Sequence, residues 1–234
     1  MKYVHLTPRL SAALSMLEGA ETVADIGCDH GRLSAALLQQ NACSRVIATD
    51  ISEPSLRKAQ RLLSYIGVSE RVSFRLGDGL HVIEPFECDA IAMLGMGGTL
   101  MVQILARCPI PLNGANSVVL QPMRAQADIR EYLHLNDFRI THDCIVSEHG
   151  RYYQIFRAVP NMHRQPLPDG FPEGFYDVGF QSFANRDPNL KTLCEAQLMQ
   201  HRKRIAAARG TEGEEKLSFK IRSLERILNL LSEE

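Results

Sequence analysis

Apolar positions along this chain change their spacing again and again, and the changes predict the elements. Thr7-Pro8 reads as a hydroxyl N-cap followed by proline at the first helical position. Leu10, Ala13, Leu14 and Leu17 then share one helical face, and Glu18-Gly19 closes it. From there short apolar runs alternate with helical stretches. The runs are Glu21 to Gly27, Arg45 to Asp50, Arg71 to Leu76, Asp89 to Leu94 and Asn116 to Gln121. The helical stretches are Leu33 to Gln40, Pro54 to Ile66, Thr99 to Ala106 and Ala125 to Leu135. Strand and helix in alternation predict βαβ units and a mainly parallel sheet. Phe138 to Val146 and Arg151 to Val159 break the alternation: two β-like runs joined by Ser147-Glu148-His149-Gly150 predict an antiparallel hairpin.

The pattern changes near Pro160. Prolines 160, 166, 168 and 172 and glycines 170 and 174 mark an irregular linker. Beyond it, Leu190, Leu193, Cys194, Gln197, Leu198, His201 and Ile205 share a helical face. Gly210-Thr211-Glu212-Gly213 interrupts, and Leu217, Ile221, Leu224, Leu228 and Leu231 form an a/d seam. The expected fold is therefore α/β: a Rossmann-like sheet ending in an antiparallel hairpin, plus a C-terminal helical hairpin or coiled coil. Residues 1–160 and 161–234 are the expected domains. The seam serves packing, self-association or a partner equally well.

Composition narrows the setting. The 234 residues are 45% apolar and 23% charged with a formal net charge of -1, so any nucleic-acid contact must be local rather than a bulk polycation effect. Met1 to Pro8 lacks the apolar stretch of a signal peptide, and no run reaches the roughly 20 apolar residues of a spanning helix. Cys28, Cys43, Cys88, Cys108, Cys144 and Cys194 are scattered without a Cys-x-x-Cys pair. Reduced thiols, no metal site, no membrane and a cytoplasmic location are expected.

The candidate chemistry sits at strand ends, where open α/β sheets bind ligands. Asp25-Ile26-Gly27-Cys28-Asp29-His30-Gly31 follows the first run. Gly27 permits a tight turn, Gly31 lets the next helix start close by, and Asp25 orients the turn or meets the cofactor. Asp29 stands where many dinucleotide binders carry glycine; its carboxylate repels a pyrophosphate but tolerates a cationic amino group. This favours S-adenosylmethionine over NAD. Asp50, with Ile51 beside it, closes the second strand about 20 positions after Gly31, where an acid meets ribose hydroxyls. Gly77-Asp78-Gly79 closes the third, with Asp78 placed to accept from an adenine amino group. A strand-end aspartate serves equally as a helix cap. Leu94 and Gly95-Met96-Gly97-Gly98 close the fourth strand. Three glycines in four residues make either a tight turn or a floor on which a flat base lies near the methyl group.

Together these residues resemble the bacterial tRNA adenine-22 N1-methyltransferase family. The resemblance runs through Leu6 to Leu17 with Arg9-Leu10, Ala24 to Gly27 with Asp29-His30, and Arg75 to Leu80. It continues in Gly95 to Leu100, Leu120-Gln121-Pro122, Ile129 to Leu133, a Glu148 to Tyr153 hairpin and the C-terminal helical pair. It implies methyl transfer from S-adenosylmethionine to N1 of one adenine in the D-loop region of tRNA. By position, Gly27, Asp29, Asp50 and Asp78 would hold the cofactor, and their strand-end neighbours Asp25, Cys28, Ile51, Gly79 and Leu94 are expected to line it. Gly95, Met96 and Gly97 would carry the target base, with Asp29 and His30 in catalytic roles. Arg9, Arg32, Arg124 and Arg130 would surround the site, and Arg202, Lys203 and Arg204 would meet RNA from the helical hairpin. A monomer or weak homo-oligomer is expected. This chain departs from the family's Gln-Pro-Asn with Gln121-Pro122-Met123, which removes an amide. A small-molecule methyltransferase and a non-catalytic cofactor-binding interaction module remain as alternatives; Asp29 and the hairpin ending argue against a dehydrogenase.

Overall fold

The computed structural model describes residues 4–107, 114–160 and 175–233. Cys108 and the linker residues Pro166, Pro168, Gly170, Pro172 and Gly174 lie outside the described residues. The first helix, α1 (Pro8–Leu17), carries the expected Thr7 cap: its hydroxyl accepts from the Leu10 amide. Then come β1 (Thr22–Ile26), α2 (Arg32–Gln39), β2 (Arg45–Asp50), α3 (Glu53–Tyr65), β3 (Val72–Leu76) and β4 (Ala90–Met96). They are followed by α4 (Gly98–Arg107), β5 (Ser117–Pro122), α5 (Gln126–Leu135), β6 (Phe138–Glu148) and β7 (Arg151–Pro160).

These seven strands form one sheet in the order β3-β2-β1-β4-β5-β7-β6. β1 to β5 pair in parallel, whereas β7 runs antiparallel to both β5 and β6. Strand order reverses between β1 and β4, which opens a crevice at their carboxyl ends. The strands read as near-continuous apolar runs because helices cover both faces. Val23, Val119 and Ile155 pack with α1 to α3 on one side. Ile26, Leu120 and Phe156 pack with α4 and α5 on the other, around Met101, Leu105, Ile129 and Leu133.

Two boundaries differ from expectation. β4 continues through Gly95 to Met96, because the ladder to β5 resumes at Met96↔Pro122 after a bulge; the glycine is the bulge, not the start of the turn. The β6–β7 connection is only His149-Gly150, both at positive φ (50° and 73°). That is the twist a two-residue hairpin needs.

Beyond the linker come α6 (Phe175–Val178), α7 (Phe180–Ala184), α8 (Leu190–Ile205) and α9 (Glu212–Leu230). The chain breaks between α8 and α9 slightly earlier than expected: Thr211 is the N-cap and Glu212 and Gly213 already belong to α9. The two helices pair within the chain through Leu193, Cys194, Leu198, Leu224 and Ile227, and the same cluster includes Ile145 of β6. Ile227 is fully buried while the seam residues Ile221 and Leu228 pack at the margin. α9 therefore turns a wider face inward than an a/d stripe alone. The described cysteines are all free thiols.

Candidate active site

The crevice between β1 and β4 holds a cavity of about 570 Å³ lined by Thr7, Arg9, Leu10, Asp25, Gly27, Cys28, Asp29, His30, Arg32, Leu33, Leu94, Gly95 and Met96. Its first wall is the turn after β1. Gly27 adopts φ 72°, and a Cβ there would collide with the Met96 methyl group. The Gly27 and Cys28 amides both donate to the Thr49 carbonyl at 2.9 Å, and Asp29 N donates to Asp50 Oδ2 at 2.9 Å. The second Asp50 oxygen accepts from Ser52 N at 2.8 Å. Asp50 thus ties the β1 turn to the start of α3, with a lone pair left on each oxygen. Gly31 caps the start of α2 at φ 69°, and its missing Cβ leaves room for Ala59 and Leu63 of α3.

Asp25 is fully buried, and burial pushes its carboxyl up to about 6, against the hydrogen bond from Ser34; the Asp50 charge adds to the rise. Ser34 Oγ donates to Asp25 Oδ2 at 2.6 Å. Asp29 itself sits at φ 47° with its side chain exposed, and His30 Nδ1 lies 2.6 Å from its Oδ2. Cys28 is an inert wall: burial raises its thiol, and the Asp25 and Asp50 charges raise it further.

The opposite wall is the end of β4, pinned to the end of β5. Met123 N donates to the Met96 carbonyl at 2.7 Å and Gly98 N to the Arg124 carbonyl at 2.8 Å. A Cβ at Gly98 would strike the Ala125 carbonyl, so α4 can start there only with glycine. The third wall is α1. Glu148, at the end of β6, accepts from Arg9 N at 3.2 Å. Burial alone would raise that carboxyl, but the Thr7 hydroxyl, the Arg9 amide and the Arg9 charge together hold it below its usual range. Arg32 donates to the His5 carbonyl at 2.6 Å and fixes the approach to α1.

The expected cofactor residues thus divide. Asp25, Gly27, Cys28, Asp29 and Leu94 line the cavity, as do His30, Gly95 and Met96. Asp50, Ile51, Asp78 and Gly79 sit at the neighbouring ends of β2 and β3, outside the cavity lining; Ile51 and Asp78 are exposed there. Gly97 lies just past β4, and the Arg124 side chain occupies the space above it. Among the expected RNA contacts, Arg9, Arg32 and Arg124 are at or beside the cavity mouth. Arg130 is not. It is 2% exposed and ion-paired with Asp143, so it cannot touch a phosphate. On α8, Arg202 pairs with Glu225 at 2.7 Å, while Lys203 and Arg204 are exposed. The contributions of Thr7, Leu10, Leu33 and Ser34 to this site escaped the sequence reading, since nothing local marks a residue brought in by tertiary packing. Among the described residues no group of three or more His, Cys, Asp or Glu is placed to hold a metal ion, and no helix is long and apolar enough to cross a membrane.

The sheet order, the crevice at the reversal and the antiparallel end define the class I methyltransferase architecture. Residues 6–156 match the methyltransferase domain model, and the chain belongs to that family. A tRNA (adenine(22)-N(1))-methyltransferase of Bacillus subtilis is 32% identical over 158 residues, which cover 68% of this chain and 66% of that protein. The chain thus aligns with slightly less than two thirds of that relative. The crystal structure of the B. subtilis m1A22 tRNA methyltransferase TrmK is similar with a TM-score of 0.86 and 27% identity, covering 97% of this chain and 100% of that one. An uncharacterized Listeria monocytogenes protein is similar with a TM-score of 0.87 and 26% identity, covering 96% and 100%.

Proposed function

We propose that this protein transfers a methyl group from S-adenosylmethionine to N1 of an adenine of the position-22 type in tRNA. The observation that carries the reading is the cavity itself: a carboxylate-bearing turn on one side faces an all-backbone glycine bulge on the other. The donor set suits the cofactor. Asp25 and Asp29 offer carboxylates to a cationic amino group, Asp50 keeps free lone pairs for hydroxyls, and Gly27 keeps the turn open. Ile51, Asp78 and Gly79 extend this set along the next strand ends. When bound, the cofactor would supply an electrophilic methyl group on a sulfonium. Similarity to the B. subtilis enzyme supports the choice of acceptor.

Adenine N1 is a neutral nucleophile at pH 7, so the chain's task is chiefly placement and exclusion of water. N1 lies on the pairing edge, so the base must be unpaired or flipped out. Gly95 to Gly97 and Met96 form its floor. The product ring gains positive charge, and the Asp29 carboxylate, oriented by His30, meets that charge as it develops. Arg9, Arg32 and Arg124 receive the RNA around the mouth, and Lys203 and Arg204, with Arg202, hold it from the C-terminal hairpin. In this division of labour residues 1–160 carry the chemistry and residues 161–234 the RNA grip. The protein acts on cytoplasmic tRNA as a monomer or weak oligomer. Incubating the protein with labelled S-adenosylmethionine and total tRNA, then identifying the modified nucleoside, tests this. N1-methyladenosine in the D-loop region is expected. Turnover of small acceptors without RNA would replace this reading with another.

A further inference from the structure

Gln121, the penultimate residue of β5, is completely buried and does not reach the cavity. Across from it the β4 ladder is broken. Register steps from Leu94↔Gln121 to Met96↔Pro122, so Gly95 is the extra residue of a bulge. A bulge leaves the extra residue without its ladder bond, and such an amide must be met by something else. The Gln121 side chain meets it: Gly95 N donates to Gln121 Oε1 at 3.2 Å. The same oxygen accepts from Arg9 Nη1 at 3.0 Å. A carboxamide oxygen has two lone pairs, and here each is used on a different wall of the cavity. On the other side of the amide, Nε2 faces the Met123 sulfur at 3.4 Å, a weak acceptor. Arg9 is further set by the Tyr153 ring, 4.9 Å from the guanidinium carbon, and by Glu148, 3.9 Å from its Nε.

We propose that Gln121 is a positioning residue for methyl transfer: one carboxamide oxygen fixes the Gly95 floor and the Arg9 wall at the spacing the acceptor base requires. The proposal rests on the methyl-transfer reading. It makes the bulge and the helix before β1 a single unit. Without the oxygen, Gly95 is free to swing out of the bulge and Arg9 to leave its perch on Tyr153. Misplacement of a reacting group by about 1 Å costs on the order of 100-fold in rate. A glutamine that merely filled the core would show only a stability loss when replaced by an apolar side chain of like size.

The test is a kinetic comparison of full-length Gln121→Met, Gln121→Glu, Arg9→Met and the double variant Gln121→Met/Arg9→Met on tRNA. Gln121→Met should lower kcat by about 10- to 100-fold, with the dissociation constant for S-adenosylhomocysteine changed by less than about threefold. Gln121→Glu keeps the accepting oxygen and should recover about tenfold or more of that loss. At saturating tRNA the kcat of the double variant should be little lower than that of Gln121→Met alone, since both remove the same contact, while loss of the RNA contact at Arg9 raises KM. A folded Gln121→Met with wild-type kcat, a Gln121→Glu no better than Gln121→Met, or a fully additive cycle would each overturn the proposal. If Gln121→Met fails to fold, Arg9→Met replaces it: a wild-type kcat there refutes the coupling. A wild-type protein that methylates no RNA defeats the activity reading instead. Amide exchange at Gly95 then tests the Gln121 oxygen without RNA. Exchange should speed up in Gln121→Met and stay slow in Gln121→Glu; equal rates in both reject the role of the oxygen.

Discussion

Replacing Arg130 by methionine should cost stability and leave RNA binding alone. From α5 its Nη2 meets both Asp143 oxygens at 2.9 Å, and its Nη1 meets Gln154 Oε1 at 2.6 Å and the Tyr176 carbonyl at 3.1 Å. The guanidinium also lies 4.5 Å above the centre of the Phe156 ring. Methionine keeps most of the volume but strands the Asp143 carboxylate, whose side chain is 0% exposed. Removing one partner of a buried pair costs about 3–5 kcal/mol. For a chain of this size that is roughly 10 °C in melting temperature. Burial already pushes the Asp143 carboxyl up against the pull of the Arg130 charge. With that pull gone, the folded variant holds its proton to higher pH than the unfolded chain does. The variant's stability should therefore fall as pH rises above the ordinary carboxylate range, so its deficit is smaller at pH 5 than at pH 8. Urea denaturation followed by circular dichroism at both pH values, with filter binding of tRNA to the folded protein, measures all of this. An unchanged denaturation midpoint together with weakened tRNA binding would refute the buried-pair account.

Asp25→Asn should flatten one limb of the stability profile. The wild-type carboxyl rises from 3.8 to about 6 on folding, so stability falls by about 3 kcal/mol as pH climbs through that window, and asparagine removes the slope. Gly27→Ala, forced to φ 72° against Met96, should weaken S-adenosylhomocysteine binding at least tenfold in calorimetry while the chain stays folded; undiminished affinity would contradict the wall assignment. Reversing Lys203 and Arg204 to glutamate should weaken tRNA binding and lower its salt slope by about two, with cofactor affinity intact. Asp29→Ala should reduce kcat; unaltered turnover and cofactor affinity would remove Asp29 from the mechanism.

Periodicity made the parallel sheet, its antiparallel end and the two C-terminal helices readable, because each element buries a face that its spacing reveals. The turn after β1 was readable as well, since Gly27 follows an apolar run at a strand end and Asp29 stands where many dinucleotide binders carry glycine. Arg130 was not: an arginine on a helix reads as surface until Asp143 arrives from another strand. Gln121 carried no local signal of its role, because the unpaired amide it serves belongs to β4. Gly95 misled for the same reason. A glycine after an apolar run reads as the end of a strand, and only the resumed ladder at Met96 shows that the strand goes on.

The hairpin tip at His149-Gly150 carries a constraint on how the chain can change length. Exposed tips usually accept extra residues without harm. This one joins Glu148 directly to Arg151 in register, and Glu148 grips the start of α1, which forms one wall of the cavity. A single inserted residue would shift the pairing and turn Glu148 toward the opposite face of the sheet. The tip therefore tolerates exchange of His149 far better than insertion beside it, and chain length at an exposed loop becomes a condition of the cavity's shape.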